Sequence, residues 1–165
     1  MGNLSDRIDI DLLDDLARAR PSWHFVLVGS AHLDQTILRL DRHANVHFLG
    51  VKPYEEARRF IRHFDVALIP HLDNDMTRSM NPLKAFVYCA EGVPVVSTPI
   101  ANMYELGDLI TVAKGADGFL DAIEDALATG WRGPDFGVLE PHTWVRRVEQ
   151  VLGLIDTAAG VGVMG

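Results

Sequence analysis

The sequence predicts a three-layer α/β/α domain on a parallel sheet, and three observations carry that reading. Short, largely apolar runs at residues 24–28, 46–50, 65–70, 95–96 and 109–112 lack polar alternation, so they read as strands covered on both faces. Helical patterns separate these runs in about five alternations, the arrangement that gives parallel sheets flanked by helices. The 165 residues are enough for one such domain with a sizeable core.

Each element follows from local chemistry. Residues 9–20 form the first helix, with Ile10, Leu12, Leu13, Leu16 and Ala17 on one apolar face and Pro21 as its stop. The strand 24–28 ends in Gly29-Ser30, and a short helix covers 33–40. The second strand, 46–50, leads through Val51-Lys52 to Pro53, which opens the helix 54–63. The third strand, 65–70, runs into a polar loop over 71–80. Asn81 is a good N-cap and Pro82 a good first residue for the next helix, which runs through Lys84, Ala85, Phe86 and Tyr88 to a stop at Gly92. After strand 95–96 come a helical turn at 103–106, strand 109–112, a helix over 117–128 and a Gly/Pro-containing loop over 130–137. A last amphipathic helix spans 143–155, and its stripe of Trp144, Val145, Val148, Val151, Leu152 and Ile155 is expected to be buried. The domain is placed at residues 1–156. The small, Gly-rich segment 157–165 is expected to be a flexible tail, mobile or ordered only by contacts outside the domain.

Composition narrows the function. Hydrophobic content of 48 % and charged content of 23 % are ordinary for a globular domain. The formal net charge of −8 does not favour nucleic acid or an anionic membrane, although a local basic pocket could still hold a phosphate. The single cysteine, Cys89, excludes an intramolecular disulfide, fits a reducing compartment and reads as inert packing. No apolar run approaches the ~20 residues of a membrane span, and the N-terminus lacks a signal pattern. The expected location is cytoplasmic, with peripheral membrane attachment of a longer protein left open.

In parallel sheets, ligands bind beyond the carboxyl ends of the strands. Four segments lie there: Gly29-Ser30, Gly50-Val51-Lys52, residues 70–84 and residues 98–105. The helix opening near Arg78, Ser79, Met80, Asn81 and Lys84 concentrates unpaired N–H groups and partial positive charge. It reads either as a diphosphate site, with Arg78 or Lys84 adding charge-assisted bonds, or as a plain capped helix. Gly29-Ser30 allows close approach of a ligand, or simply ends a strand. Val51 and Lys52 offer backbone groups to a base edge, or form a connecting turn. His71, Asp73, Asn74 and Asp75 read more readily as turn chemistry than as a metal or acid–base site. No dinucleotide fingerprint, Walker lysine, nucleophile elbow or zinc spacing is present. Trp23, Trp131 and Trp144 read as packing residues.

The run NPLKAFVYCAEGVPVVSTPIANMYEL, residues 81–106, resembles the donor-binding signature of retaining, nucleotide-sugar-dependent glycosyltransferases of the GT-B fold, usually close to N-P-x-K-x-x-E-Y-x-A-x-G-x-P-V-V-x-T. RPSWHFVLVG, NVHFLGVKPYEEARRFIRHFDVALIP and TWVRRVEQVLGLI agree in order, so the likeness covers nearly the whole chain. It implies the C-terminal, Rossmann-like half of a two-domain enzyme, opened by a short Gly-containing strand, with the acceptor half absent or in another chain. It places the base near Gly50, Val51 and Lys52 and the diphosphate near Ser79, Met80, Asn81 and Lys84. The substrate would be a nucleotide-diphosphate sugar, with no cofactor and no metal, and no catalytic residue is identified. The family often carries two glutamates across this helix, where this chain has Ser79 and Val87. Glu91 is one turn too far on to substitute, and Arg7 is the candidate for the basic residues near the first turn.

Three functions follow from the resemblance. The first is a donor-binding domain that is inactive alone. The second is a degenerate, non-catalytic half acting in interaction or as a scaffold. The third is a related sugar enzyme such as an epimerase, for which His71 or Glu105 would be the nominees.

Overall fold

A computed structural model of the chain describes residues 2–4, 6–31, 35–80, 83–99, 106–107, 109–130 and 139–161. The chain divides into two compact units, Met1–Gly133 and Pro134–Gly165.

The first unit alternates strands and helices as the periodicity requires. Strand β1 (Gly2–Asn3) precedes helix α1 (Ile10–Ala19), whose N-cap Asp9 accepts a hydrogen bond from the Leu12 N–H at 2.9 Å. Strand β2 (Phe25–Ser30), a 3-10 helix (Gln35–Arg42) and strand β3 (Val46–Gly50) follow. Helix α2 (Tyr54–Ile61) leads to strand β4 (Ala67–Ile69), the helical turn α3 (Asp75–Arg78) and helix α4 (Leu83–Ala90). Strands β5 (Val95–Ser97) and β6 (Ile110–Val112) precede helix α5 (Gly115–Thr129). Among the described residues every strand pair is parallel, and the strands form two three-stranded sheets, β1-β2-β3 and β4-β5-β6, where one sheet was expected.

Core packing follows the sequence stripes. Leu12, Leu13, Leu16 and Ala17 of α1 join Phe119, Ala122 and Ile123 of α5 over Phe25, Val46 and Val96 of the strands. Polar ties hold the layers in register. Asp14 accepts from Arg42 at 2.6 Å and pairs with His43 at 2.8 Å, locking α1 to the 3-10 helix. Glu91 receives Arg58 and Arg62, each at 2.5 Å, which joins α4 to α2. Cys89 is buried, with burial pushing its thiol up to about 11, which disfavours the nucleophilic thiolate near neutral pH.

Gly29 has φ +149°, and a Cβ placed there would lie 1.6 Å from the Gly2 carbonyl oxygen. The close approach it permits is therefore that of β1, the neighbouring strand. Gly29→Ala is expected to cost about 1–3 kcal/mol through backbone strain, more if β1 detaches, measured as a lower Tm in thermal denaturation.

Two further expectations change. The polar loop 71–80 contains a helical turn, because Asn74 and Thr77 form a reciprocal capping box. Of the expected turn at 103–106, only Leu106 falls within the described residues, and most of the loop 130–137 falls outside them.

The second unit holds a 3-10 helix (Glu140–His142) and helix α6 (Trp144–Val161). α6 continues through Val161, into the segment expected as a tail. Its stripe is exposed, with Trp144 at 80 % and Val145, Val148, Val151, Leu152 and Ile155 all open to solvent. Periodicity correctly marked the apolar face of the helix. It carries no information about whether a partner surface covers that face.

Candidate functional site

The ends of the strands bring three basic side chains together. His71 follows β4 and is 1 % exposed. Its N–H donates to Thr98 Oγ1 at 3.1 Å, and Thr98 Oγ1 donates to the His71 carbonyl at 2.7 Å. An antiparallel bridge joins His71 to Ile8, and the Leu72 N–H donates to the Arg7 carbonyl at 2.8 Å. The chain leaving β1 is thus laid along the chain leaving β4, which carries Arg7 to this end of the fold. Lys84, in the first turn of α4, places Nζ 3.4 Å from His71 Nε2 and 4.0 Å from the Cβ position of Gly2. Arg7 Nη1 donates to Met80 Sδ at 3.7 Å.

The electrostatics of this cluster are one-sided. Burial first, and then the Arg7 charge, push Lys84 down to about 8. Burial, then Lys84, then Arg7 push His71 down to about 3, so the imidazole is neutral near pH 7 and cannot act as a general acid there. A neutral His71 that accepts from Lys84 at Nε2 carries its proton on Nδ1. Among the described residues, His71 Nδ1 and Arg7 Nε are buried without hydrogen-bond partners. Half-buried cations and buried idle donors beside the start of a helix are costly alone, and an anion relieves both costs.

The residues singled out from sequence are distributed unevenly. Lys84 belongs to the cluster, and Met80 touches it through Arg7. Arg78 is directed elsewhere: it pairs with Asp73 at 2.8 Å and Asp75 at 3.6 Å on the surface, so the guanidinium beside Lys84 is that of Arg7. Ser79 caps the end of α3, and its hydroxyl donates to the Asp75 carbonyl at 3.2 Å. Val87 is half-buried within α4. Ser30 is paired with Asn3 in the sheet, and its carbonyl accepts from the Leu4 N–H at 2.9 Å. Gly50 and Val51 are exposed, and Lys52 pairs with Glu56 at 3.2 Å. Asn81, Pro82 and Glu105 lie outside the described residues. Asp73, Asn74 and Asp75 serve α3 as ion-pair partner, N-cap and first-turn acid, which is the turn chemistry their pattern suggests.

Sequence reasoning offered Arg7 only through the resemblance, and read His71 as turn chemistry or, in one alternative, as an acid–base group. Neither has a local signal beyond its basic side chain. Their meeting depends on the bridge between Ile8 and His71, a contact between residues far apart in the chain.

Comparison with known proteins gives a consistent picture. The family model for glycosyl transferases group 1 matches residues 3–129. TuaH of Bacillus subtilis (strain 168), named for a glycosyltransferase of teichuronic acid biosynthesis, is 27 % identical over 104 residues, covering 62 % of this chain and 26 % of TuaH. Among solved structures, Anabaena HepE in complex with UDP-glucose superposes with a TM-score of 0.69 at 19 % identity, covering 94 % of this chain and 48 % of HepE. AviGT4, a glycosyltransferase of avilamycin A biosynthesis, gives 0.62 at 16 % identity, covering 94 % and 50 %. WaaG, a glycosyltransferase of lipopolysaccharide biosynthesis, gives 0.54 at 17 % identity, covering 94 % and 42 %. The chain therefore spans about a quarter of the curated relative and about half of these structures. At these identities the superpositions establish the fold, a Rossmann-like half of the GT-B architecture.

Proposed function

The chain belongs to the glycosyl transferases group 1 family, and from that premise we propose that it is the half that binds the nucleotide-sugar donor. The single observation carrying this reading is the Arg7–His71–Lys84 cluster, which pairs with no carboxylate among the described residues and whose imidazole keeps an idle donor. A diphosphate supplies the missing negative charge. Arg7 and Lys84 would bond its oxygens, and the opening of α4 would add its dipole. In transfer, the same groups would stabilise charge growing on the departing diphosphate. The nucleotide base would lie near Gly50, Val51 and Lys52. The acceptor and much of the cleft would come from a second, N-terminal half, so this chain alone would not turn over. The UDP-glucose complex of HepE supports the substrate class.

Isothermal titration with UDP, ADP and GDP tests the reading. Weak binding of at least one, lost on adding excess salt, is expected. No heat from any of them at millimolar ligand would end it.

Val87 favours a second reading, in which donor binding has decayed and the domain serves as an interaction half. It occupies a place where the family resemblance calls for a carboxylate, and a valine side chain accepts no hydrogen bond. If the site is a working or recently decayed donor site, Val87→Glu gains one charged hydrogen bond to the ribose. Affinity for the preferred nucleoside diphosphate is then expected to rise about tenfold or more. An unchanged affinity in the same titration would favour the scaffold role.

A further inference from the structure

The chain has three lysines, Lys52, Lys84 and Lys114, and their surroundings differ. Lys52 pairs with Glu56 at 3.2 Å, and Lys114 is exposed ahead of α5. Lys84 is half-buried, its Nζ lies 3.4 Å from His71 Nε2, and no carboxylate pairs with it among the described residues. Burial and the nearby Arg7 charge both disfavour its ammonium and favour the free amine, which is the nucleophilic form. The amine is within reach of small molecules. Lys84 lines a cavity of about 390 Å³ together with Asn3, Leu4, Pro70 and Tyr88.

Beside this amine stand two donors that lack acceptors. His71 is 1 % exposed, and its Nδ1 and the Arg7 Nε are buried without hydrogen-bond partners among the described residues. A molecule carrying negative charge next to an electrophilic carbon would satisfy the donors and meet the amine at once. An acyl phosphate has that form: its phosphate oxygens accept from cations and N–H groups, and holding them presents the adjoining carbonyl carbon.

We infer that Lys84 is an acylation site for small acyl phosphates, docked by Arg7 and the idle His71 donor. The Nζ lone pair attacks the acyl carbon, and an N–C bond forms. The C–O bond to phosphate breaks with its electron pair passing to phosphate, which also takes the proton leaving the amine. The product is an uncharged amide. It removes the ammonium that a diphosphate would need, so acylation would switch the site off. The inference rests on the reading of this cluster as an anion site, and adds to it a reactive role for Lys84. With Lys84 held down to about 8, about a quarter of it is free amine at pH 7.5. An ordinary lysine titrating near 10.4 has about one part in eight hundred. A less basic group is also a weaker nucleophile, the trend that thiolates show, and this leaves an advantage of about tenfold.

Acetyl phosphate added to the full chain at pH 7.5, with each lysine followed by peptide mass spectrometry, tests the inference. Lys84 is expected to be acetylated about tenfold or more faster than Lys52 and Lys114. Inorganic phosphate in excess is expected to slow Lys84 severalfold and to leave the other two unchanged. Phenyl acetate, an uncharged acyl donor, is expected to react at Lys84 at a rate that phosphate does not lower. Equal rates at the three lysines with acetyl phosphate would overturn the inference. A lead for Lys84 that is the same with both reagents and indifferent to phosphate would overturn it too, leaving a reactive amine with no docking of the anion. The nucleotide titration can fail while phosphate still protects Lys84, so this inference and the donor-binding reading fall separately.

Discussion

Lys84→Met is expected to weaken nucleoside diphosphate binding by about tenfold to over a hundredfold, the loss of one charged hydrogen bond worth about 1.5–3 kcal/mol. The same change is expected to leave the free protein as stable as before, or more so. The two effects have opposite signs because Lys84 is half-buried beside Arg7 and His71, with no carboxylate paired to it among the described residues. Its ammonium is a cost to the folded state until an anion arrives, whereas a methionine of similar length packs there without charge. The pH dependence follows from the same burial. An unfolded lysine titrates near 10.4, and in the fold it is held down to about 8. Between those values the unfolded chain binds more protons, so stability rises with pH across the window, and below about 8 the penalty is fully present. Bound diphosphate favours the ammonium form, so affinity is expected to fall as pH rises through about 8. Titration calorimetry at several pH values, with chemical denaturation of both proteins, separates these outcomes. A Met variant that binds as tightly as the parent would remove Lys84 from the site.

Asn45→Asp is expected to be the most damaging single-atom change in the fold, costing about 3–5 kcal/mol and lowering Tm by on the order of 10 °C. Asn45 is buried, and its Nδ2 donates to the carbonyls of Ala17 at 3.1 Å, Arg20 at 3.2 Å and Trp23 at 3.0 Å. Those carbonyls are the acceptors left over where α1 ends and the chain turns toward β2. An aspartate oxygen in that position would face three carbonyl oxygens, so it must either bury an unpaired charge or take up a proton at the expense of folding. Asn45→Ala only deletes the donor and is expected to cost less, about 1–3 kcal/mol. Thermal and urea denaturation of the pair measures the difference. An aspartate variant as stable as the alanine variant would show that the carboxyl group carries no penalty there beyond the loss of the donated bonds.

Much of the fold was legible because its signals are local. The apolar face of α1, the Val95-Val96 strand and the start of α2 after Pro53 all appear where spacing and capping chemistry put them. Part of the proposed site could be nominated for the same reason: Lys84 lies in the first turn of a helix that follows a parallel strand, a position where α/β sheets commonly place ligands. Arg78 misled because a basic residue near a helix start looks the same in sequence whether it faces a ligand or an aspartate. Arg7 entered only through the resemblance, because its neighbours in sequence say nothing about His71.

What the sequence by itself determined is the succession of strands and helices, since propensity, periodicity and caps act over a few residues. Only the tertiary structure decided the rest. It set β1 against Gly29, gathered Arg7, His71 and Lys84, and arranged the described strands in two three-stranded sheets. Each of these depends on which distant segments pack together, and a pattern of residue types does not encode the partner that a face, an edge or a charge will meet.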